Sequence, residues 1–310
     1  MPNTLAHLGC QAVVTRCLVR NADPKWIYVG CVIPDFPWIL LRIVPAVVAN
    51  INPYDSYLYG TVQASLALCL VLCAALATSC LFPRRIFAVL ALNSFLHLLL
   101  DACETKWANG VHLLAPISWK LWNLALFWPE SLPTSLLTFL GLAYVICNWQ
   151  HAVETPVNFS SRGFWKRFLA LALITAYFVL PLILKSGPEL ADNHSIRTLR
   201  EVNARTGRHV EFDRKLYLHH ANGDVIRAFA KEELVVTGMT SKRTGVVSVR
   251  AKFLDEKSIV IQELHEHSAW SRDYPSYLGL SLILLVWTSS IRRSLTGREA
   301  IVDIKGISTQ

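Results

Sequence analysis

The feature that most constrains the fold is a series of apolar runs long enough to cross a lipid bilayer. A helix needs about 20 apolar residues to span a hydrocarbon core about 30 Å thick. The cleanest run is Val62–Phe82, and the others are Ile86–Ala102, Ser131–Trp149, Phe168–Leu184 and Tyr277–Ile291. Over the whole chain 53% of residues are hydrophobic and only 17% are charged. This composition predicts a polytopic α-helical membrane bundle with one water-exposed part.

Four other segments of the bundle have less regular patterns. Thr4–Val19 predicts a first helix, and Trp26–Asn50 predicts a helix that is broken at Pro34. Asn52–Gly60 is rich in tyrosine and predicts an interfacial loop. Val111–Trp128 is apolar but interrupted by proline and lysine, which predicts a pair of short interfacial or re-entrant helices.

A block of different composition, Ser186–Ser276, lies between the last two apolar runs. Polar and apolar residues alternate in it with a period of two, which is typical of strands with one buried face. The alternating segments are His209–Asp213, Lys215–His219, Val247–Phe253 and Ser258–Gln262. The block predicts a small all-β domain of five or six strands, either a barrel or a sandwich, inserted into the membrane bundle.

The predicted division of the chain has three parts. Residues 1–185 form the membrane bundle, residues 186–276 form the soluble β domain, and residues 277–310 form a final transmembrane helix with a cytoplasmic tail. Thr198–Arg205 is expected to form a short helix before the first strand.

The positions of the basic residues predict the orientation in the membrane. The formal net charge is +8, and three basic clusters lie beside apolar runs, at Arg84-Arg85, Arg162/Lys166/Arg167 and Arg292-Arg293. The positive-inside rule assigns all three clusters to the cytoplasmic side, which makes the β domain extracytoplasmic and puts Asp101 near the outer face. Basic residues in such places report topology. We therefore expect membrane lipid, and not nucleic acid, as a partner.

Two ionisable residues within one apolar run mark the first candidate site. His97 and Asp101 lie four residues apart in Ile86–Ala102, so both project from one face of a helix. Ionisable groups in a membrane helix are costly and usually functional. Imidazole and carboxylate together are suitable ligands for a divalent metal, with zinc preferred over manganese or iron. The alternative is a buried His–Asp hydrogen bond that joins two helices.

Four further residues complete the candidate set. His7, Asp35 and His112 are candidate metal ligands, and Asp35 or Glu104 is the candidate catalytic base or the partner that orients a ligating histidine. Each also has a plain structural interpretation. Asp35 follows a proline and is a suitable helix cap, His112 is a suitable interfacial residue, and Glu104 a suitable solvated one.

The predicted β domain holds one more histidine pair. His265 and His267 are two residues apart, so a strand would place them on the same face. They are compatible with a metal site and with ordinary surface histidines.

The order and spacing of the bundle residues resemble a family of bacterial membrane-bound, metal-dependent hydrolases. That family has an early His, a Pro-Asp-x-Asp segment, a His-Arg…Thr-His-Ser segment, and a helix with His-x-x-x-Asp followed by Gly-Val and Pro. The matching residues in this chain are His7, Pro34-Asp35, His97, Asp101, Gly110-Val111 and Pro116. The resemblance covers about residues 1–120. It departs at Pro37, which replaces the second Asp, and at Tyr57–Leu66, which replaces the His-Arg…Thr-His-Ser segment.

The resemblance implies a hydrolytic reaction class and a multi-pass location in the bacterial inner membrane. We expect a metal-dependent hydrolase that acts at the outer membrane face on a lipid-linked or phosphoester substrate. The alternative is a non-catalytic protein whose helices anchor the β domain, which then binds a protein partner outside the membrane. A transporter is disfavoured because the sequence has no internal repeat.

Overall fold

The computed structural model describes residues 3–47, 51–156, 163–221, 223–268, 270 and 272–307. The helices before the barrel are α1 (Thr4–Leu18), α2 (Pro24–Val32), α3 (Phe36–Val47), α4 (Pro53–Gln63), α5 (Leu66–Thr78), α6 (Pro83–Cys103), α7 (Leu132–Cys147), α8 (Trp149–Glu154), α9 (Phe164–Leu184), α10 (Ser186–Ala191) and α11 (Ile196–Arg200). The strands are β1 (His209–Leu218), β2 (Val225–Arg227), β3 (Glu233–Gly238), β4 (Gly245–Phe253) and β5 (Ser258–His267), and the chain ends with α12 (Asp273–Ile307).

Within the described residues, four helical segments are long and apolar enough to cross a membrane. They are Pro24–Ile43, Pro83–Cys103, Phe164–Ala191 and Asp273–Ser294. Helices α4 and α5 meet the same criteria only as a pair, and they are bent by 67° at their junction. The expected helical architecture, with several apolar helices of membrane-spanning length, is therefore present.

The bend between α4 and α5 corrects the prediction for this region. The expected interfacial loop Asn52–Gly60 is wrong, because helix α4 starts at Pro53, and the Asn52 side chain accepts hydrogen bonds from the first free backbone N–H groups. The expected span Val62–Phe82 is also not one continuous helix. Ser65 has an extended backbone that ends one helix and starts the next, so α5 is only 13 residues long.

The segment between α6 and α7, residues 104–131, is here called the connector. It contains no helix, so the predicted pair of short helices is wrong. Its backbone pairs across the segment, since Val111 and Trp122 exchange N–H···O bonds of 3.1 and 2.9 Å. The amide of Asn123 donates to the carbonyls of Lys106 and Asn109. Hydrogen bonds between separate parts of the connector thus satisfy backbone N–H and C=O groups that a helix would have paired with each other.

The β segment closes into a barrel with the strand order β1-β2-β3-β5-β4. β3 and β5 are parallel, and the other neighbours are antiparallel. Two predicted strands merge into β1, with a register shift between Phe212 and Lys215, while β2 and β3 were not individually predicted. The apolar interior includes Phe212, Ile226, Leu234 and Val249. A barrel, one of the two predicted alternatives, therefore forms.

Two of the basic residues named above, Arg85 and Arg293, lie at the end of the bundle away from the barrel. Arg85 donates to the carbonyls of Arg20 and Asn21 at 2.8 and 2.9 Å. Arg293 lies 3.4 Å from Glu154. Helix α6 leads from this end to the connector, and the barrel is inserted between α9 and α12. The opposite end of the bundle therefore carries the connector and the barrel.

Two helix contacts are close enough to require glycine. A Cβ on Gly141 of α7 would overlap the Leu5 carbonyl of α1, and one on Gly9 would overlap the Leu137 carbonyl. A Cβ on Gly30 of α2 would lie 2.7 Å from the Asn93 Cβ of α6. Small residues at such crossings let membrane helices pack backbone to backbone. These contacts hold α1 against α7 and α2 against α6.

We expect Gly141→Val to destabilise the bundle strongly, because the new side chain would collide with backbone. Overpacking of this kind costs about 1–3 kcal/mol or more. The measurement is the thermal midpoint of the detergent-purified protein. The matched control is Gly245→Ala, where no atom lies within 4 Å of the added Cβ. Equal midpoints for Gly141→Val and the control would contradict the close packing of α1 and α7.

Candidate metal centre

Four of the candidate residues converge between α1, the turn after α2, and α6. His7 Nε2 lies 3.5 Å from Asp101 Oδ1, and His97 Nε2 lies 3.7 Å from Asp101 Oδ2. Asp35 Oδ1 is 3.6 Å from His97 Nε2. The two histidine side chains are fully buried. The structure thus brings together residues that are up to 94 positions apart in sequence (101 − 7).

The backbone of α2 sets the orientation of the His97 ring. His97 Nδ1 lies 2.6 Å from the carbonyl oxygen of Cys31. A carbonyl only accepts, so Nδ1 carries a proton, and in the neutral imidazole the lone pair of Nε2 points toward the two carboxylates. The His7 ring stacks on the His97 ring with centroids 3.7 Å apart and planes within 4°. The close approach of α2 at Gly30 therefore determines which nitrogen of His97 faces the site.

Several polar atoms of the cluster have no hydrogen-bond partner of normal geometry. His97 Nε2, both ring nitrogens of His7 and Oδ1 of Asp35 are buried without such a hydrogen bond. Leaving a buried polar group unsatisfied costs about 1–3 kcal/mol. Ligands about 2.1 Å from a tetrahedral ion lie about 3.4 Å apart, close to the 3.5–3.7 Å separations seen here. The arrangement fits a divalent cation held by His7, His97 and Asp101, with Asp35 beside them.

Lys106 and Glu104 lie next to this cluster. The Lys106 ammonium is 2.9 Å from Asp101 Oδ1 and 3.3 Å from Glu104 Oε2. Both side chains are buried. Glu104, a candidate base, is thus placed against Lys106 and outside the group of candidate ligands. Lys106 was not predicted as a site residue; its only sequence signal is a lysine close after two acidic residues at the end of an apolar run.

His112, the remaining candidate ligand, lies elsewhere. Its Nε2 is 3.1 Å from Nε2 of His194, whose Nδ1 is 2.9 Å from the Ala108 carbonyl. Burial, and secondarily the neighbouring His194, lowers the pKa of His112 to about 3. Burial also lowers the pKa of His194. Sequence reasoning missed His194 because it is 82 residues from His112, and no local spacing connects the two.

A cavity of about 530 Å³ connects these groups. Its walls come from α3, α4, the end of α6, the connector and the barrel, and Asp101, Lys106, His112 and His194 all line it. Among the described lining residues, Asp101 is the single acid. The cations are Arg42, Lys106, Lys215 and Arg272, and apolar residues include Pro34, Trp38, Leu41, Leu98 and Phe229.

One of these cations sits deep in the wall. The Lys215 ammonium lies 3.7 Å from the centre of the Phe229 ring, a cation–π contact. Burial lowers the pKa of Lys215 to about 8, which leaves the ammonium mostly protonated at pH 7. The cavity therefore combines positive charge with apolar surface.

Gln63, which lies in the segment that replaces a missing family motif, takes no part in the metal cluster. Gln63 lies where the family has its His-Ser pair, and its amide donates to the Tyr177 carbonyl and the Tyr59 hydroxyl, both at 3.3 Å. No protein-family model, curated protein or solved structure matches the chain. The resemblance to membrane-bound hydrolases thus rests on the motif residues quoted above.

The His112–His194 pair predicts a pH dependence of stability. His112 titrates near 6.5 when unfolded and near 3 when folded, so between these values the unfolded chain binds more protons. Stability is therefore complete above pH 6.5 and falls as the pH drops, by about 2 kcal/mol at pH 5 for this group.

The measurement is the thermal midpoint at pH 7 and pH 5 for the wild type and for His112→Gln. We expect a smaller drop in the variant, because glutamine does not titrate. Parallel drops in the two proteins would contradict the buried neutral state of His112.

Proposed function

We propose that the chain is an integral-membrane, metal-dependent hydrolase that acts on a lipid-linked phosphoester. The observation that carries this proposal is the buried cluster of histidines and carboxylates around Asp101 at the wall of a cationic cavity. His7, His97 and Asp101 would hold a divalent ion, and zinc suits two imidazoles and a carboxylate. A bound divalent ion would supply a water of pKa about 7 and polarise a phosphoryl oxygen.

The protein side chains have separate roles in this proposal. The Cys31 carbonyl fixes the tautomer of His97, and such orienting contacts typically affect metal affinity 10–100-fold. Asp35 is the more exposed carboxylate, at 17% against 8% for Asp101. We therefore assign Asp35 as the general base that takes the proton of the attacking water. Lys106 holds Asp101 in place and contributes positive charge to the cavity.

The cavity lining supports a phosphate group attached to an apolar chain. Four cations against one acid favour an anionic group, while Trp38, Leu41 and Leu98 offer an apolar wall. A volume of about 530 Å³ lies within the ~300–1,000 Å³ typical of small-molecule sites. It suits a head group with the first part of a lipid chain.

The position of the cluster supports a substrate at the membrane surface. Asp101 lies two residues before the end of α6, at the end of the bundle that carries the barrel. Helix α9 exposes large apolar side chains, including Phe168, Leu171 and Leu182, which suits contact with lipid. With the basic clusters on the cytoplasmic side, the site and the barrel belong on the outer face of a cytoplasmic membrane.

We expect the purified wild type to retain a divalent metal that His97→Ala and Asp101→Asn lose. A direct ligand should contribute at least the 10–100-fold in affinity that orienting partners contribute. The measurement is metal content by mass spectrometry after dialysis of detergent-purified proteins. The matched control is His151→Ala, since His151 is an exposed histidine on α8. Equal metal content in the wild type and Asp101→Asn would show that His97 and Asp101 are a structural contact.

Activity provides an independent test of the reaction. We expect release of inorganic phosphate from a detergent-solubilised lipid phosphate monoester, and about 10²–10⁴-fold slower release by Asp35→Asn, the usual contribution of a general base. Asp35→Asn should still hold metal. A metal-loaded wild type with no hydrolysis of phosphoesters would overturn the hydrolase proposal. The chain would then be a membrane anchor for a barrel that binds a protein partner.

A further inference from the structure

A second set of acceptor atoms converges between the connector and the barrel. Glu130 comes from the connector, and His265 and His267 come from β5. Glu130 Oε1 lies 2.8 Å from His267 Nδ1, and Glu130 Oε2 lies 3.6 Å from His265 Nε2. One ligand atom from each of the three residues lies within 4.8 Å of the others. None of these residues lines the cavity described above.

The barrel and the connector hold both imidazole rings in place. His265 and His267 are alternate residues of one strand, so they share the face of β5 toward the connector. The Trp128 ring stacks on the His265 ring with centroids 3.6 Å apart and planes within 5°. His267 Nε2 lies 2.7 Å from the Ser248 hydroxyl of the neighbouring strand β4. The histidines are thus oriented by contacts that leave His265 Nε2 and His267 Nδ1 facing Glu130.

The hydrogen bonds around Ser248 determine where the proton of His267 lies. The Ser248 hydroxyl donates to the Asp213 carboxylate at 3.0 Å and accepts the backbone N–H of Arg214 at 3.1 Å. Its one proton is therefore used by a carboxylate, the stronger acceptor, and His267 Nε2–H must donate to it. In the neutral imidazole, the lone pair of His267 Nδ1 then points at the carboxylate of Glu130.

Two atoms on the remaining side of the site have no hydrogen-bond partner. Glu130 Oε2 and His265 Nε2 are buried without a hydrogen bond of normal geometry. Arg214 lies 3.2 Å from Glu130 Oε1, which leaves Oε2 available. A 3.6 Å separation of Oε2 and His265 Nε2 is close to the edge of about 3.4 Å expected around a tetrahedral ion with ligands at about 2.1 Å.

We propose that Glu130, His265 and His267 form a second divalent-metal site of the zinc class, with the fourth position open to water or another ligand. The site joins the connector to β5. The connector also supplies Lys106, Asn109 and His112 to the cavity wall, so a metal here fixes the barrel against that wall. This proposal does not depend on the hydrolase proposal, because the two sites share no ligand.

Cobalt(II) titration of the full-length protein in detergent, with any affinity tag removed, tests this site. The Asp101→Asn variant serves as the background, since it lacks a ligand of the first centre. We expect this variant to bind one equivalent of Co²⁺ with visible d–d absorption. Adding His265→Phe keeps a ring on Trp128 but removes a ligand atom, and should weaken binding at least 10–100-fold. His209→Ala, at an exposed histidine of β1, should leave binding unchanged.

Glu130→Gln in the same background keeps the shape of the carboxylate and removes its charge, and it should weaken Co²⁺ binding as His265→Phe does. It decides the outcome if His265→Phe fails to fold. The proposal is overturned if Asp101→Asn protein binds no Co²⁺, or if a folded ligand variant binds it with unchanged affinity. The cluster would then be an imidazolium–carboxylate pair that docks the barrel without metal.

Discussion

A carboxylate buried in an apolar helix needs positive charge or hydrogen-bond donors close by, and the structure around Asp101 follows from that requirement. An ionised carboxylate at membrane depth costs about 2.5–3.5 kcal/mol on insertion scales. Three side chains surround Asp101: His7 from α1, His97 from the same helix α6, and Lys106 from the connector, whose ammonium lies 2.9 Å away. Lys106 donates to Asp101, but the ring nitrogens of His7 and His97 that face Asp101 remain without a hydrogen-bond partner. A divalent cation would satisfy all of them at once.

Close helix packing and the connector together make this arrangement possible. Gly9 and Gly141 bring α1 against α7, and Gly30 brings the Cys31 carbonyl to His97. The connector then leaves the end of α6 and contacts the barrel, where the Ala108 N–H donates to Glu211 at 2.7 Å. Since the same segment lines the cavity and contacts the barrel, any movement of the barrel would alter the cavity. A metal at Glu130 would restrict such movement.

Much of the candidate site could be predicted from the sequence, because part of it depends on local spacing. His97 and Asp101 share a helix face by their four-residue separation, and the structure places His7 and Asp35 beside them. Contacts that depend on tertiary folding gave no comparable signal. His194 meets His112 only because the segment before the barrel folds back on the connector, and Lys106 faces Asp101 only because α6 ends at Cys103.

For the fold, as for the site, the sequence predicted the features that depend on local residue patterns. Apolar runs and alternating strands identified the helical bundle and most of the barrel. The predictions for α4 and the connector were wrong because they relied on amino-acid composition. In α4, the tyrosines suggested an interfacial loop, whereas Asn52 and Pro53 start a helix. In the connector, an apolar composition suggested helices, whereas Asn123 and the Val111–Trp122 pairing hold an extended chain.

The most direct test of the metal centre is an anomalous-scattering experiment on crystals of the full-length protein grown with zinc. Diffraction data collected above and below the zinc absorption edge locate the ion without assumptions about activity. The account predicts a peak about 2.1 Å from Nε2 of His97, the distance of a zinc–imidazole bond, in contact with His7 and Asp101. A structure with no peak there, in which His97 Nε2 donates a direct hydrogen bond to Asp35 or Asp101, would contradict it.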